Sequence, residues 1–204
     1  MSQNSGTVAI IGYGAGNTAS VQFALERLGC EPVITADPEV IASAERVILP
    51  GVGAAAYAME RLDALGLVEP LKAFTGPLLG VCLGQQLLFE RSEEGGGVSM
   101  LGFIPGVVTA FDLPPRLPVP HMGWSRLNRV QADPLIEGVA DGDYAYFVHG
   151  FVCPDGPATL AAADYGVRVP AVVRSGNRWG CQFHPERSAA TGARILQNFL
   201  SLPC

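Results

Sequence analysis

Pro77-Leu78-Leu79-Gly80-Val81-Cys82-Leu83-Gly84-Gln85-Gln86 joins two kinds of sequence through a single cysteine. Pro77 to Val81 is an apolar, strand-like run, and Leu83 to Arg91 reads as a helix. A strand that enters a helix through so tight a turn has room only for small residues beside it. Gly80 and Gly84 supply that room, and Cys82 at the apex is forced outward into a strained conformation. The pattern is a nucleophile elbow with sulfur in place of oxygen. A helix N-terminus at the cysteine adds free N–H groups and a dipole that favour a thiolate. A buried cysteine on an ordinary core strand is the competing reading, but such a strand gains nothing from glycines on both sides.

On the N-terminal side of this elbow strands and helices alternate. Val8 to Ile11 reads as a buried strand, followed by the turn Gly12-Tyr13-Gly14-Ala15-Gly16. Asn17 or Thr18 then caps a helix whose Val21, Ala24, Leu25 and Leu28 keep helical spacing. Pro32 to Thr35 and Arg46 to Leu49 read as further strands, the latter ending in Pro50-Gly51-Val52-Gly53. Helices are expected at Ala55 to Leu65 and Leu67 to Phe74. This alternation predicts an α/β fold with a mainly parallel central sheet flanked by helices. Beyond Arg91, short strands are expected at Val107–Phe111, Trp124–Leu127, Tyr144–Val148, Thr159–Ala163, Ala171–Arg174 and Arg178–Phe183. They predict an antiparallel extension of that sheet. Ser188 to Leu200 closes the chain as a helix, and Glu93-Glu94-Gly95-Gly96-Gly97 reads as a mobile surface loop.

Composition narrows the classes. With 204 residues, 49% hydrophobic and 16% charged, the chain is expected to form one domain, residues 1–204. A net charge of −6 without a Lys/Arg cluster gives no footprint for nucleic acid. No apolar run reaches the roughly 18 residues that span a bilayer. Met1-Ser2-Gln3-Asn4-Ser5-Gly6 lacks the basic start and apolar core of a signal peptide. The five cysteines (Cys30, Cys82, Cys153, Cys181, Cys204) are scattered and odd in number, which points to a reducing, cytoplasmic location.

A cysteine nucleophile needs a base, and the base needs a group that fixes its tautomer. Of the three histidines, His184 lies in Gly180-Cys181-Gln182-Phe183-His184-Pro185-Glu186, at the end of an expected strand. Pro185 stiffens the turn, and Glu186 can fold back onto the imidazole. Active sites of parallel sheets gather at such strand ends. Cys181 and His184 also form a Cys-x-x-His pair. A structural zinc needs four ligands, however, and no second pair has suitable spacing, so no metal is expected. Acyl transfer further needs oxyanion donors. The glycines of Pro50-Gly51-Val52-Gly53 let backbone N–H groups turn toward a ligand, and the Leu83 amide is the second candidate. From the residues alone, Pro50–Gly53 is equally well a plain turn. Gln86, one turn past Cys82, could hold a polar substrate or simply face solvent. Val119-Pro120-His121-Met122-Gly123-Trp124 reads as a contact surface. His149 reads as a strand-end residue beside the site, without a proton-transfer role.

Gly80-Val81-Cys82-Leu83-Gly84-Gln85-Gln86 together with Gln182-Phe183-His184-Pro185-Glu186 resembles the class I, or triad-type, glutamine amidotransferases. Within them the chain is similar to glutaminase subunits of imidazole glycerol phosphate synthase, which serve histidine biosynthesis. Tyr13–Asn17, Leu49–Gly53, Pro120–Trp124 and Tyr146–His149 carry that finer likeness, which runs from Val8 to Leu200. The resemblance implies hydrolysis of L-glutamine to glutamate and ammonia, with Cys82 as nucleophile, His184 as base and Glu186 as its orienter. It implies Gly51, Val52, Gly53 and Leu83 around the oxyanion. Gln86, with the backbone near Gly150 and Phe151, would hold the substrate. No cofactor is implied. The implied partner is a (β/α)8-barrel cyclase in a heterodimer, with Asn17, Trp124 and Arg187 at or near the interface. Several positions depart from the family pattern: Gly12 (usually Asp), Gln85 (Met), Ser125 (Asn), Gly150 (Ser or Thr) and Arg187 (Lys). Another triad amidotransferase pathway is the alternative enzyme. A silent scaffold on the same fold fits the complete triad less well, and for a thiol peptidase nothing resembles a peptide-binding cleft signature.

Overall fold

Every residue of the first strand is buried in the computed structural model, which describes residues 7–204. The reading of Met1–Gly6 lies outside the described residues. β1 (Val8–Ile11) is apolar throughout because both of its faces are covered. Val8 and Ile10 enter one hydrophobic cluster while Ala9 and Ile11 enter another, so the sheet separates two cores. α1 (Thr18–Glu26) begins where Asn17 Oδ1 accepts from the Ser20 N–H at 3.3 Å. β2 (Val33–Thr35) leads to α2 (Pro38–Ser43), a helix not among those expected from sequence. Its signal is nonetheless present: Asp37 accepts from the Glu39 N–H at 2.9 Å, and Pro38 opens the first turn. β3 (Arg46–Gly51), α3 (Ala55–Ala64), α4 (Val68–Ala73) and β4 (Leu78–Cys82) complete the first half.

After Cys82 the chain forms α5 (Leu83–Gln86), β5 (Phe89–Ser92), β6 (Val98–Ser99), β7 (Ile104–Ala110), β8 (His121–Arg126) and β9 (Asn128–Arg129). It continues through β10 (Tyr144–His149), β11 (Phe151–Val152), β12 (Thr159–Asp164), β13 (Arg168–Ser175) and β14 (Arg178–Cys181) to α6 (Ala189–Leu200). The central sheet has eight strands in the order β2-β1-β3-β4-β14-β13-β12-β9. β2, β1, β3, β4 and β14 are mutually parallel, and β13, β12 and β9 add the antiparallel extension. Among the described residues no helix is long and apolar enough to cross a membrane.

Three expectations are corrected. The helix expected over Leu83–Arg91 ends at Gln86. Leu87, Leu88 and Phe89 are all buried, and Phe89 to Ser92 pair in parallel with Ile104 to Val108. Sheet pairing and burial outweigh helix propensity here. Arg178–Phe183, expected in the antiparallel extension, is a strand only to Cys181 and lies parallel to β4, where it joins the parallel part of the sheet. Nor do Val107–Phe111, Trp124–Leu127 and Tyr144–Val148 extend the central sheet. β7 belongs to a four-stranded sheet, β11-β7-β5-β6, and β8 pairs with β10 in a two-stranded ribbon. The ribbon's outer face holds Met122, Trp124 and Tyr144, all exposed, so these strands lie on the surface and not between layers. Glu93–Gly97 is more ordered than the mobile loop expected, with a short 3-10 turn over Glu94–Gly96. It is fastened by Glu94 Oε2, which accepts from the Ala55 N–H at 2.6 Å.

The topology places the chemistry. Gly51 at the end of β3 stands beside Cys82 at the end of β4, and Val81 stands beside Cys181 at the end of β14. Three neighbouring strands therefore deliver their following residues to one edge of the sheet.

Candidate active site

The elbow is as tight as its glycines require. A Cβ on Gly84 would overlap the Leu49 carbonyl, and one on Gly80 would overlap the Gly84 carbonyl. Cys82 adopts φ +55° and ψ −109°, a conformation that costs an L-residue roughly 1–3 kcal/mol. The helix behind it is a single turn, so its dipole is weaker than a longer helix would supply. Sγ lies 3.5 Å from the Val148 carbonyl and 3.9 Å from Gln182 Nε2.

His184 Nδ1 and Glu186 Oε1 are 2.8 Å apart, and the Glu186 side chain is 1% exposed. The backbone around the base is fixed. The His184 N–H donates to the Tyr146 carbonyl at 2.9 Å, and Ser188 Oγ donates to the His184 carbonyl at 2.7 Å. Burial pulls the imidazole pKa down. Hydrogen bonds and negative charge from Cys82 and Glu186 outweigh that pull and raise it to about 10. The His184 imidazole is thus protonated at neutral pH. The other buried thiols do not compete for this role: burial pushes Cys153 up to about 12, and Cys181 far above the ordinary thiol range. Among the described residues, no cluster of three His, Cys, Asp or Glu could hold a metal ion.

Cys82 and His184 open into a cavity of about 300 Å³, lined also by Val52, Gly53, Leu83, Gln86, Glu94, Pro120, Val148, His149, Gly150 and Phe151. That volume is at the lower end of small-molecule sites, roughly 300–1,000 Å³. A larger groove of about 560 Å³, bordered by Pro38, Phe74 and Cys204, lies at the opposite ends of the strands and has no histidine in its lining. All the residues expected around the oxyanion and substrate line the smaller cavity except Gly51. Gly51 packs behind it against Leu83, Gly84 and the Tyr13 hydroxyl. Tyr13 Oη and Glu186 Oε2 are both buried without a partner.

The two oxyanion candidates differ. The Leu83 N–H opens α5 and so has no carbonyl one turn earlier to bond. The Val52 N–H instead donates to the Ala15 carbonyl at 2.8 Å, so it is turned away from the cavity. Gln86 Nε2 donates to the Phe151 carbonyl at 3.2 Å and to Gln182 Oε1 at 3.1 Å. With both N–H groups engaged, its carbonyl oxygen is what it offers a ligand. Gln182, Glu94 and Tyr13 are site residues that sequence reasoning does not single out. Gln182 is within sight, inside the histidine motif. Of the expected interface residues, Trp124 is 50% exposed and packs edge-on to Tyr146. Arg187 is exposed beside Glu186, and half-buried Asn17 caps α1, which packs near the Pro185–Arg187 turn.

The model of the class I glutamine amidotransferase family matches residues 9–202. The chain is 52% identical over 195 residues to the imidazole glycerol phosphate synthase subunit HisH of Xylella fastidiosa (strain Temecula1), covering 96% of this chain and 97% of the relative. It has the same identity and coverage, 52% over 195 residues, 96% and 97%, with the subunit of that name from Xanthomonas campestris pv. campestris (strain 8004). Among solved structures, PurLQS from Thermotoga maritima superimposes with a TM-score of 0.72 at 21% identity, covering 96% of this chain and 97% of that one. At that identity the likeness concerns the fold alone.

Proposed function

This chain belongs to the class I glutamine amidotransferase family, and we propose from its pocket how it releases ammonia from glutamine. It is the glutaminase subunit of imidazole glycerol phosphate synthase, an enzyme of histidine biosynthesis. Residues 1–204 act as one amidotransferase domain. Cys82 attacks the side-chain amide carbon of L-glutamine. The tetrahedral intermediate collapses as the His184 imidazolium gives its proton to the leaving nitrogen. Ammonia departs and a γ-glutamyl thioester remains. His184 then takes a proton from water, the hydroxide attacks the thioester carbon, and glutamate leaves with Cys82 restored. Glu186 holds the imidazole in the required orientation. The Leu83 N–H receives the developing oxyanion, joined by the Val52 N–H once that peptide turns from Ala15 into the cavity. Gly51 and Gly53 give the strand the freedom to turn. Gln86 Oε1, with the backbone of Gly150 and Phe151, receives the amino-acid end of the substrate.

The relatives are subunits of a larger enzyme, and a partner subunit follows for this chain. We assign it as a (β/α)8-barrel cyclase that converts the ammonia, docked around Asn17, Trp124 and Arg187. The exposure of Trp124 and Arg187 supports this face. Five free cysteines support a cytoplasmic enzyme. The reading rests above all on Cys82 held at φ +55° where β4 ends, beside a His184–Glu186 pair at 2.8 Å. Steady-state glutamate release, with and without the cyclase and its ligand, tests it. Release is expected to be slow alone, faster in the complex, and absent in Cys82→Ala. Undiminished release by Cys82→Ala would refute the mechanism.

A further inference from the structure

Two buried histidines that take no part in the chemistry above lie directly opposite each other across the β8–β10 ribbon, His121 facing His149. They belong to a continuous chain of hydrogen bonds. Ser125 Oγ lies 2.8 Å from His121 Nε2, and His121 Nδ1 lies 3.0 Å from His149 Nε2. His149 Nδ1 in turn lies 2.8 Å from the Phe151 carbonyl oxygen. That same carbonyl accepts from Gln86 Nε2 at 3.2 Å.

The direction of every bond follows from the last one. A carbonyl only accepts, so the His149 proton is on Nδ1. In a neutral ring Nε2 is then an acceptor, so His121 must carry its own proton on Nδ1. His121 Nε2 is left as an acceptor, and the Ser125 hydroxyl must donate. Both rings are neutral because of where they sit. His121 is 1% exposed, stacked between Tyr165 and Phe147 with ring centroids at 3.9 and 4.7 Å. His149 is 5% exposed beside Phe111, and the nearby positive charge of His184 opposes a second one. Burial lowers His121 to about 3 and His149 to about 4. Neutral histidine in water favours the Nε2–H tautomer, so the protein holds both rings in the less favoured form.

We propose that Ser125, His121 and His149 are positioning residues: a one-way hydrogen-bond relay that fixes the Phe151 carbonyl and, through it, the Gln86 amide that faces the substrate. The assignment rests on the reading of the cavity as the glutamine site. It explains why Gln86 spends both N–H groups inward and presents an acceptor, as the ammonium of a free amino acid requires. The relay begins on the strand that carries Trp124 and ends on the wall of the pocket. It therefore ties the outer ribbon to substrate binding without touching Cys82.

Long-range proton–nitrogen NMR of the imidazoles near pH 7 reads the relay without any substrate. His121 and His149 are expected as neutral Nδ1–H rings and His184 as doubly protonated. An Nε2–H or charged form at His121 or His149 would overturn the relay. The second measurement is the KM for glutamine of the isolated chain, where docking cannot interfere. Ser125→Ala should raise KM about fivefold to tenfold with kcat within about twofold, the size of one lost hydrogen bond, and Ser125→Thr should restore it. An unchanged KM in Ser125→Ala, with only a lowered melting temperature, would reduce the relay to a structural feature. Failure of the wild-type chain to release glutamate even with the cyclase bound would instead refute the glutaminase reading, while the NMR spectra would still decide the tautomers.

Discussion

The two walls of the cavity are prepared to different degrees. On one side His184, Glu186, Gln86 and the Phe151 carbonyl are each fixed by hydrogen bonds of 2.8–3.2 Å. On the other, the Val52 N–H is bonded to Ala15 at 2.8 Å, and Val52 is 43% exposed. The base and the substrate wall are thus ready while half of the oxyanion site is turned away. Magnitudes show what this can achieve. One oxyanion donor contributes about 10²–10³ in rate, roughly 2.7–4 kcal/mol in the transition state. The Val52–Ala15 bond that opposes the turn is worth about 1 kcal/mol net. That bond alone would hold the rate back about fivefold. A larger restraint needs the turned peptide itself to be unfavourable until a partner braces it.

Weakening the prepared wall should have the largest effect. Glu186→Gln keeps the shape but removes the charge that orients His184, and should lower kcat by about 10³–10⁴, with and without the cyclase. A loss smaller than tenfold would show that His184 is held by its backbone contacts instead. The opposite wall separates the two states. Val52→Pro removes the N–H, and with it both the bond to Ala15 and the second oxyanion donor. It should cut the cyclase-stimulated rate about 100-fold and the rate of the isolated chain by less than threefold. Equal losses in both states would mean that the peptide already turns without a partner. A thermal melt of the variant checks that the strand has kept its fold.

This contrast also marks where sequence stops being informative. The prepared wall was legible because its parts are close in sequence: Glu186 follows His184 by two residues, and Gly80 and Gly84 bracket Cys82. What the sequence did not show is that β14, expected in the antiparallel extension, lies parallel to β4 and so brings the histidine motif beside the cysteine. The His121–His149 contact, in contrast, joins residues 28 apart and depends on the exact register of a ribbon whose strands were expected in the central sheet. The helix expected to run to Arg91 failed for a related reason. The run Leu87-Leu88-Phe89 fits a buried helix or a buried strand, and only pairing with β7 decides between them. The direction of the Val52 peptide was not legible at all, because glycine on either side permits both orientations.

The histidines on the two sides of the pocket also titrate in opposite senses. His184 is raised to about 10, so the stability it contributes is complete below its unfolded pKa near 6.5 and is lost as pH rises through 10. His121 and His149 are lowered to about 3 and about 4. Below pH 6.5 the unfolded chain binds protons that these two rings refuse, so their effect is destabilising and grows as pH falls toward 4. Between pH 6.5 and 5.5 the pair costs about 2 kcal/mol and His184 returns a few tenths, a net loss of roughly 1–2 kcal/mol. Urea melts across that interval should show the loss, and His121→Phe should halve it. A loss already halved in the wild type would mean that one of the buried rings accepts a proton in the folded state, and a flat profile that both do.

The smallest effect is expected where the substrate wall has spare room. At Gly150 an added Cβ would meet only Val119 Cγ1, at 3.8 Å, an ordinary contact. Gly150→Ser should therefore fold with stability within about 0.5 kcal/mol of the wild type. Its hydroxyl would reach the cavity edge without disturbing the Phe151 carbonyl, which already has two donors. KM for glutamine should change by less than about threefold, and in the downward direction if the hydroxyl finds the substrate. A rise of tenfold or more would show that the backbone at Gly150 itself must stay unencumbered, and would extend the prepared wall by one residue toward Pro120.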